Sequence, residues 1–180
     1  MLHRLELPTY ESVSHLEAKG GYAVKKYYRW PWKWFYRKKL EMLLSYLEDG
    51  RIYGNILDFG CGKPKILGPS LDKIGLNVSY IDEGEKLPHC KFDIIICGSV
   101  LEFVTLEEVL PKLKKHLTRG GFMVVASPMS NWVTDLYLYF SGDKAIRNSH
   151  RNIIKEAKKH FHIEDYKEWM GLYFSFKASV

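Results

Sequence analysis

The stretch that decides the fold is Asn55-Ile56-Leu57-Asp58-Phe59-Gly60-Cys61-Gly62. Its first half is a short apolar run, which is typical of a strand buried on both faces of a parallel sheet. Glycines then follow at alternate positions, and glycine lets a backbone turn tightly and pass close to a ligand. The stretch therefore predicts a strand followed by either a tight strand-to-helix connection or a ligand-binding turn.

Two common ligands of such turns fit the sequence poorly. A nicotinamide site would have a third small residue three positions after Gly62, where this chain has Lys65. The phosphate-binding pattern that ends in Gly-Lys-Ser or Gly-Lys-Thr is also absent from the turn. The turn by itself does not choose between a structural connection and a site for another ligand.

The rest of the chain alternates between strand and helix patterns. Apolar runs predict strands at 77–81, 92–97 and 121–126, and two alternating segments, 161–169 and 172–178, predict a hairpin around Gly171. Helical spacing predicts helices from about Trp32 to a stop at Gly50, from Thr105 to about Leu117, and over 150–159. Strands that alternate with helices predict an α/β fold with a doubly wound, mostly parallel sheet and an antiparallel edge.

Local signals add detail to the helix predicted from Thr105 to about Leu117 and to the turn that follows it. Thr105-Leu106-Glu107-Glu108 has the pattern of a capping box, and Pro111 is expected to split or kink the helix that follows. Arg119-Gly120-Gly121 is expected to turn the chain into the next strand.

Together these motifs resemble the class I S-adenosylmethionine-dependent methyltransferases. Ile56 to Gly62 looks like the first motif of that family, Phe92 to Val104 like its fourth-strand motif and loop, and Leu113 to Pro128 like the following segment. The resemblance covers roughly residues 33–180. It implies a Rossmann-like methyltransferase domain over 33–180, with S-adenosylmethionine as cofactor, behind an N-terminal arm or cap over 1–32.

The resemblance also implies roles for individual residues. The turn from Asp58 to Gly62 would line the methionine part of the cofactor, and the Asp58 carboxylate would attract its ammonium group. Asp82, at the end of the next strand, would accept the ribose hydroxyls, and the loop from Glu83 to Leu87 would cover the adenine. The implied cofactor-binding residues are Asp58, Gly60, Cys61, Gly62, Asp82, Glu83, Leu87 and Ser99.

Asp82 has two other interpretations. In the first, it is a simple turn residue before Gly84, since aspartate favours turns. In the second, an alternative alignment makes Asp82 or Glu83 the acid beside the adenine and leaves the ribose without a partner.

The sequence departs from the family pattern in two places. Lys63-Pro64 stands where the family has its third glycine, and Gly68-Pro69 soon afterwards predicts a short or irregular first helix. Only Glu83 to Lys91 separate Asp82 from Phe92, which is too short for the helix and third strand of the family. The sheet is therefore expected to lose that edge strand and to have about six strands.

Methyl transfer is an in-line displacement that depends mainly on holding its partners in line, and a base is needed only where the acceptor must lose a proton. The candidate catalytic residues are Glu102, which follows the fourth-strand motif, and His150, which lies in a polar setting. A residue at a helix start or on the surface is the alternative for His150. No metal site is expected, because Cys61, Cys90 and Cys97 lack the spacing of metal ligands.

Two aromatic segments leave the substrate open. Lys25 to Lys39 interleaves cations with aromatics, which fits a helix packed over the cofactor, a contact with a membrane surface or lipid substrate, or a contact with single-stranded nucleic acid. Trp132 to Phe140 is either the wall of an apolar substrate pocket or part of the core. The expected partner is a small-molecule or lipid-like acceptor.

Composition supports an ordinary globular chain. Its 180 residues are 46 % hydrophobic and 27 % charged, with a formal net charge of +6. No apolar stretch approaches the roughly eighteen residues of a membrane span, and charges with Pro8 interrupt the start, so a cytoplasmic location is expected. The two departures also leave a second function open, a non-catalytic methyltransferase-like module that binds S-adenosylmethionine, another nucleotide or nucleic acid.

Overall fold

The computed structural model describes residues 5–15, 22–30, 32–47, 51–62, 65–82, 84–141 and 146–180. The helices in these ranges are α1 (Tyr10–Val13), α2 (Tyr22–Tyr28), α3 (Trp32–Leu44), α4 (Gly68–Leu71), α5 (Leu106–His116), α6 (Trp132–Ser141) and α7 (His150–His160). The strands are β1 (Tyr53–Phe59), β2 (Gly75–Ile81), β3 (Phe92–Gly98), β4 (Leu117–Pro128), β5 (His162–Trp169) and β6 (Tyr173–Ser179). Every strand expected from the sequence is present.

The six strands form one sheet in the order β2-β1-β3-β4-β6-β5. The first four are parallel, and β6 and β5 complete the sheet as an antiparallel hairpin. β2 is an edge strand, and the described residues between it and β3 form neither helix nor strand. The expected α/β fold with about six strands and a missing edge strand is confirmed.

Helices cover both faces of the sheet because neighbouring residues of the central strands point to opposite faces. Ile56 of β1 and Ile94 of β3 pack with α3 and α4 on one face. Leu57 and Ile95 pack with α5 and α7 on the other. A strand buried on both faces must be apolar at nearly every position, which explains the continuous apolar runs that predicted these strands.

The connection from α5 to β4 differs from the expectation. β4 begins at Leu117, directly after α5, and the predicted turn lies inside the strand as an irregularity. Phe92 pairs with Leu117 and Ile94 pairs with Phe122, so the chain between these β4 residues bulges, and Gly120 takes a φ of 85° there. Glycine tolerates this left-handed conformation, which allows the pairing to resume.

The capping box at the start of α5 does not form. Thr105 is the N-cap residue, but its side chain makes no capping hydrogen bond. Pro111 lies inside α5, which runs unbroken from Leu106 to His116, so the helix is not split. Proline removes one donor from a helix, and packing of the apolar face against the sheet can offset that loss.

The N-terminal residues pack onto the domain. The Oγ atom of Ser70 in α4 donates to the carbonyl of Glu6 at 2.7 Å, and the Tyr28 hydroxyl donates to the carbonyl of Pro8 at 2.7 Å. α4 has four residues, which confirms the short first helix. The expected helix stop at Gly50 and the Lys63-Pro64 dipeptide lie outside the described residues, and no described helix is long and apolar enough to cross a membrane.

Asp93 joins three strands at the end of the sheet where the parallel strands begin. Its Oδ2 atom accepts hydrogen bonds from the backbone N–H groups of Gly54 and Asn55, at 2.8 and 3.1 Å. Its Oδ1 atom accepts from the Thr118 hydroxyl at 3.0 Å. One carboxylate therefore satisfies donors of both β1 and β4 from its place on β3.

Replacing Asp93 with alanine is expected to lower the free energy of unfolding by about 1–3 kcal/mol, because two backbone donors lose their acceptor. Urea denaturation followed by circular dichroism measures the change. The control Thr118→Val removes a single donor and should cost less. An unchanged midpoint for Asp93→Ala would contradict the role given to this carboxylate.

Candidate functional site

The site is built on the turn that follows β1. Gly60 and Gly62 have φ angles of 75° and 64°, a region that side chains disfavour. A Cβ atom on Gly60 would lie 2.4 Å from the Cβ of Val100, so only glycine fits between the two chain segments. The Gly60 N–H donates to the carbonyl of Ile81 at 2.7 Å. The turn thus brings together the carboxyl ends of β1, β2 and the loop after β3.

A cavity of about 190 Å³, here called the turn cavity, opens beside this turn. Its lining residues come from the α2–α3 region, the turn, and the end of β3: Tyr27, Lys39, Leu40, Asp58, Gly60, Cys61, Gly62, Ile66, Leu67, Gly98 and Ser99. Five of the predicted cofactor-binding residues therefore meet at one cavity. Ser99 holds a φ of 57°, an uncommon conformation of the kind that clusters at functional sites.

Asp58 is the buried acid of the turn cavity. Burial raises the pKa of its carboxyl group to about 7, Lys39 and Lys65 oppose that rise, and Asp82 adds to it. Burial also raises the pKa of the neighbouring Cys61 thiol to about 12. Cys61 therefore stays a neutral thiol at neutral pH, whereas Asp58 can gain or lose its proton there.

Lys39 is the buried amine of the turn cavity, and the sequence analysis did not single it out. Only 5 % of this residue of α3 is exposed. Its Nζ atom lies 3.4 Å from the hydroxyl of Tyr27 and 5.7 Å from the centre of the Tyr27 ring. Its positive charge lowers the pKa of both Asp58 and Glu102. The sequence does contain a signal for its burial, because Lys39 lies at helical spacing from Tyr36 and Leu43, on the apolar face of the helix.

Asp82 supports the turn from the end of β2. Its Oδ1 atom accepts from the Gly62 N–H at 3.2 Å, and its own N–H donates to Glu85 Oε2 at 2.9 Å. A carboxylate that accepts a hydrogen bond from this turn through one oxygen can present its other oxygen to a ligand. Glu83, the neighbouring predicted residue, lies outside the described residues.

A second cavity of about 640 Å³, here called the α5 cavity, lies on the other face of the sheet at the end of β1. Leu87 lines it with Phe59, Phe103 and Val104, and one flank of α5 forms its far wall. The turn cavity and the α5 cavity both border the carboxyl ends of the parallel strands, where ligands of open α/β sheets bind.

Glu102 is enclosed rather than exposed to a cavity. It is 1 % exposed, and its Oε2 atom accepts from the Ser127 hydroxyl at 2.8 Å. Burial raises the pKa of its carboxyl group, and hydrogen bonds from its own backbone N–H and from Ser127 oppose that rise. Neither of the two cavities includes it in its lining.

The loop that carries Glu102 is held by the segment before α7. The backbone N–H groups of Arg147 and Asn148 donate to the Glu102 carbonyl, each at 3.0 Å. The Asn148 amide donates to the carbonyls of Leu101 and Val104 at 2.8 and 2.7 Å. Asn148 therefore positions the loop after β3, a role that the sequence pattern did not reveal.

His150 joins the start of α7 to the segment after β4. Its Nδ1 atom accepts from the Ser130 N–H at 3.2 Å, so the proton of the neutral ring is assigned to Nε2. Burial lowers the pKa of the His150 ring, and Arg151 adds to that effect. The catalytic roles of Glu102 and His150 stay predictions. Among the described residues, no cluster of three or more His, Cys, Asp or Glu side chains is arranged to hold a metal ion.

The two aromatic segments divide between core and surface. Phe35 of α3 is fully buried and stacks on Tyr137 of α6, with ring centres 3.8 Å apart. Trp34, by contrast, is more than half exposed, and Lys39 lies inside. The interpretation of Lys25 to Lys39 as a helix with buried aromatics and outward cations therefore holds for only part of the segment.

Comparisons by sequence and by structure give different results. No protein-family model matches the chain, and no curated protein sequence matches it. Solved structures do match. The N-methyltransferase NodS from Bradyrhizobium japonicum WM9, in complex with S-adenosyl-L-homocysteine, has a TM-score of 0.59 at 14 % identity, over 94 % of this chain and 96 % of that one. The chain has the methyltransferase fold.

Two further methyltransferases extend the likeness. The magnesium protoporphyrin IX methyltransferase from Synechocystis PCC 6803, with bound S-adenosyl-L-homocysteine, has a TM-score of 0.57 at 14 % identity, over 93 % of this chain and 97 % of that one. The geranyl diphosphate C-methyltransferase from Streptomyces coelicolor A3(2) has a TM-score of 0.59 at 12 % identity, over 79 % of this chain and 77 % of that one. At these identities the likeness establishes the methyltransferase fold and not the activity.

The buried Asp58 gives the methyltransferase fold of this chain a pH-dependent stability. The native pKa of about 7 lies above the unfolded value of about 4, so the native state binds more protons between these pH values. The contribution of Asp58 to the free energy of unfolding therefore falls as pH rises from 4 to 7. Urea midpoints measured across this range should fall less steeply for Asp58→Asn than for the unmodified chain.

The control for this comparison is Asp135→Asn, which removes an exposed acid on α6. Its pH profile should follow that of the unmodified chain. Parallel profiles for Asp58→Asn and the unmodified chain would refute the raised pKa.

Proposed function

We propose that the chain is an S-adenosylmethionine-dependent methyltransferase that acts on a small-molecule or lipid-like acceptor. The observation that carries the proposal is the pair of opposite charges buried at the turn cavity. Asp58 is 3 % exposed and Lys39 is 5 % exposed, and both line the same small space beside two glycines. Buried charges are costly unless they are paired, so such a cavity favours a ligand that offers one charge of each sign.

The methionine end of S-adenosylmethionine offers these two charges. In the proposed assignment, the Asp58 carboxylate accepts from the ligand ammonium and the Lys39 ammonium donates to the ligand carboxylate. Gly60 and Gly62 let the backbone approach the ligand closely, and Cys61 and Ser99 complete the contact. The bound cofactor would supply a methyl group on a sulfonium, and the neutral thioether that remains after transfer is a good leaving group.

The nucleoside end belongs towards the α5 cavity. Asp82 would accept the ribose hydroxyls, with Glu83 beside it, and Leu87 and Phe103 would contact the adenine in the α5 cavity. The apolar side chains there suit the faces of a base, and the Gly62–Asp82 hydrogen bond joins the two halves of the site. The described residues of the two cavities therefore support the proposed placement of both ends of the cofactor.

The comparisons support a small-molecule acceptor. The matched structures include methyltransferases named for magnesium protoporphyrin IX and for geranyl diphosphate. The three cysteines of the chain are free, which supports the proposed cytoplasmic location because a reducing compartment keeps thiols unpaired.

The chemistry proposed for the chain is mainly positioning. Glu102 and His150 both accept hydrogen bonds inside the protein, from the Ser127 hydroxyl and from the Ser130 N–H. If His150 serves as a base through Nδ1, it must exchange that bond for one to the acceptor, whereas Glu102 has a second carboxylate oxygen and must instead become accessible to the acceptor. The same observation favours the second candidate function, a module that binds S-adenosylmethionine without transferring the methyl group. A common prediction follows, since both functions require the same cofactor contacts.

Calorimetry should detect binding of S-adenosylmethionine and S-adenosyl-L-homocysteine and no comparable binding of NAD. Lys39→Met should weaken binding of S-adenosyl-L-homocysteine by about ten-fold or more, because a charged hydrogen bond to the ligand carboxylate is lost. No detectable binding of either sulfur compound at millimolar concentration would refute both candidate functions.

The matched control is Lys38→Met, which removes the neighbouring, partly exposed lysine of α3. Its affinity should equal that of the unmodified chain. Equal weakening in both variants would mean that overall charge, rather than the buried Lys39, determines the affinity.

Two substitutions of Asp82 separate support of the turn from contact with the ligand. Asp82→Asn keeps an oxygen that can accept from the Gly62 N–H, whereas Asp82→Ala does not. Both should weaken binding of S-adenosyl-L-homocysteine by about ten-fold or more, since both lose the carboxylate that would hold the ribose. Only Asp82→Ala should also lower the urea midpoint. Full affinity in Asp82→Asn would show that Asp82 is a turn residue.

A further inference from the structure

One face of α6 is apolar and open to solvent. Five residues at helical spacing form it, each between 41 % and 78 % exposed: Trp132, Val133, Leu136, Tyr139 and Phe140. We call this set the α6 face. Single exposed apolar residues are ordinary, but a contiguous apolar face on one helix marks a contact surface.

The position of α6 is fixed by its other side. Tyr137 stacks on Phe35 of α3, Leu138 is 9 % exposed, and Thr134 is fully buried. The Asn131 side chain caps the helix by accepting from the Thr134 N–H at 3.0 Å. Because this side is packed and capped, the α6 face is held outward as a defined surface.

The apolar surface continues beyond α6. The Asn131 amide also donates to the carbonyl of Gly171, which ties the start of α6 to the turn between β5 and β6. Met170 in that turn is 71 % exposed. Trp169 precedes it and packs against Trp34 of α3, with ring centres 4.4 Å apart. These contacts connect the α6 face to Trp34, which is more than half exposed on α3.

The segment next to this surface is rich in positive charge. Residues 22–44 contain seven lysines and arginines against one glutamate, which equals the formal net charge of +6 of the whole chain. Lys25, Arg29 and Lys33 of this segment are exposed, and so is Trp30 between α2 and α3. The rest of the chain is neutral on balance. An exposed apolar face thus borders a segment in which cations strongly outnumber anions.

We infer that the α6 face and the cationic segment 22–44 bind the surface of a membrane that contains anionic phospholipids. Tryptophan and tyrosine favour the boundary between headgroups and acyl chains, and the aliphatic side chains and Phe140 can enter the acyl region. The cations of the neighbouring segment complement the anionic headgroups. The binding is peripheral, and it goes beyond the proposed methyl transfer.

Two other occupants fit less well. A second copy of the chain would bring two strongly cationic segments towards each other, which opposes association. Single-stranded nucleic acid would find cations among aromatics in segment 22–44, but α6 has no lysine or arginine and carries Asp135, so this ligand would leave the α6 face without a partner. An anionic bilayer satisfies both the apolar face and the charge.

Sedimentation of the full chain with vesicles tests the inference. The chain should bind vesicles of equimolar phosphatidylglycerol and phosphatidylcholine, with weaker binding to phosphatidylcholine alone and at high salt. Trp132→Ser combined with Phe140→Ser should weaken binding to the mixed vesicles by about ten-fold or more, because two large apolar side chains no longer enter the bilayer. Lys25→Glu combined with Lys33→Glu should weaken it as well.

Matched controls make the test specific. Ile52→Ser with Leu76→Ser removes two exposed apolar side chains near the amino-terminal ends of β1 and β2. Lys155→Glu with Lys158→Glu makes the same change of charge as the lysine variant, but on α7. Both controls should bind vesicles as the unmodified chain does. Affinity for S-adenosyl-L-homocysteine should be unchanged in all four variants, so that failure of the cofactor prediction and failure of this one remain distinguishable.

Several results would overturn the inference. These are absence of vesicle binding, equal binding by the α6 variant and the unmodified chain, and binding to a single-stranded oligonucleotide that the same α6 substitutions abolish while vesicle binding persists. A dimer of the unmodified chain that the α6 substitutions convert to a monomer would assign the surface to a second copy instead.

Discussion

The contact between Gly60 and Val100 is the constraint on which the site depends. No side chain fits at Gly60, because its Cβ would overlap that of Val100, and the left-handed backbone there also disfavours one. This close approach brings the turn after β1 against the loop after β3. Asp58, Ser99 and the base of the turn cavity are consequently assembled by backbone geometry, before any ligand contributes.

Within that frame, electrostatics distinguishes the site from the surrounding core. The sheet is apolar on both faces, yet Asp58 and Lys39 are both buried beside the turn. Burial raises the pKa of Asp58, and the nearby lysine limits the rise. Such an arrangement is costly for the free protein, since neither charge is fully solvated. It is the opposite of what stability alone would select, which supports a ligand as the reason for its presence.

The sequence predicted the sheet better than the site. Continuous apolar runs and a close-set hairpin revealed all six strands, and the short segment between Asp82 and Phe92 predicted the missing edge strand. Lys39 was overlooked because it was grouped with the other cations of Lys25 to Lys39, although its spacing placed it with the apolar residues. Gly120 was assigned to a turn because a strand-internal bulge has the same local signal as a turn. Asn148 could not be found at all, since its partners lie more than forty residues away.

The two edges of the sheet differ in how they can meet other strands. β5, at one edge, carries Glu164, Asp165, Lys167 and Glu168, and charged side chains along an edge discourage pairing with foreign strands. β2, at the other, has no charged residue from Gly75 to Ile81. The shortened connection after β2 has removed the strand that covers this edge in longer methyltransferase sheets. Among the described residues, no charged side chain on β2 therefore discourages a foreign strand from pairing at this edge.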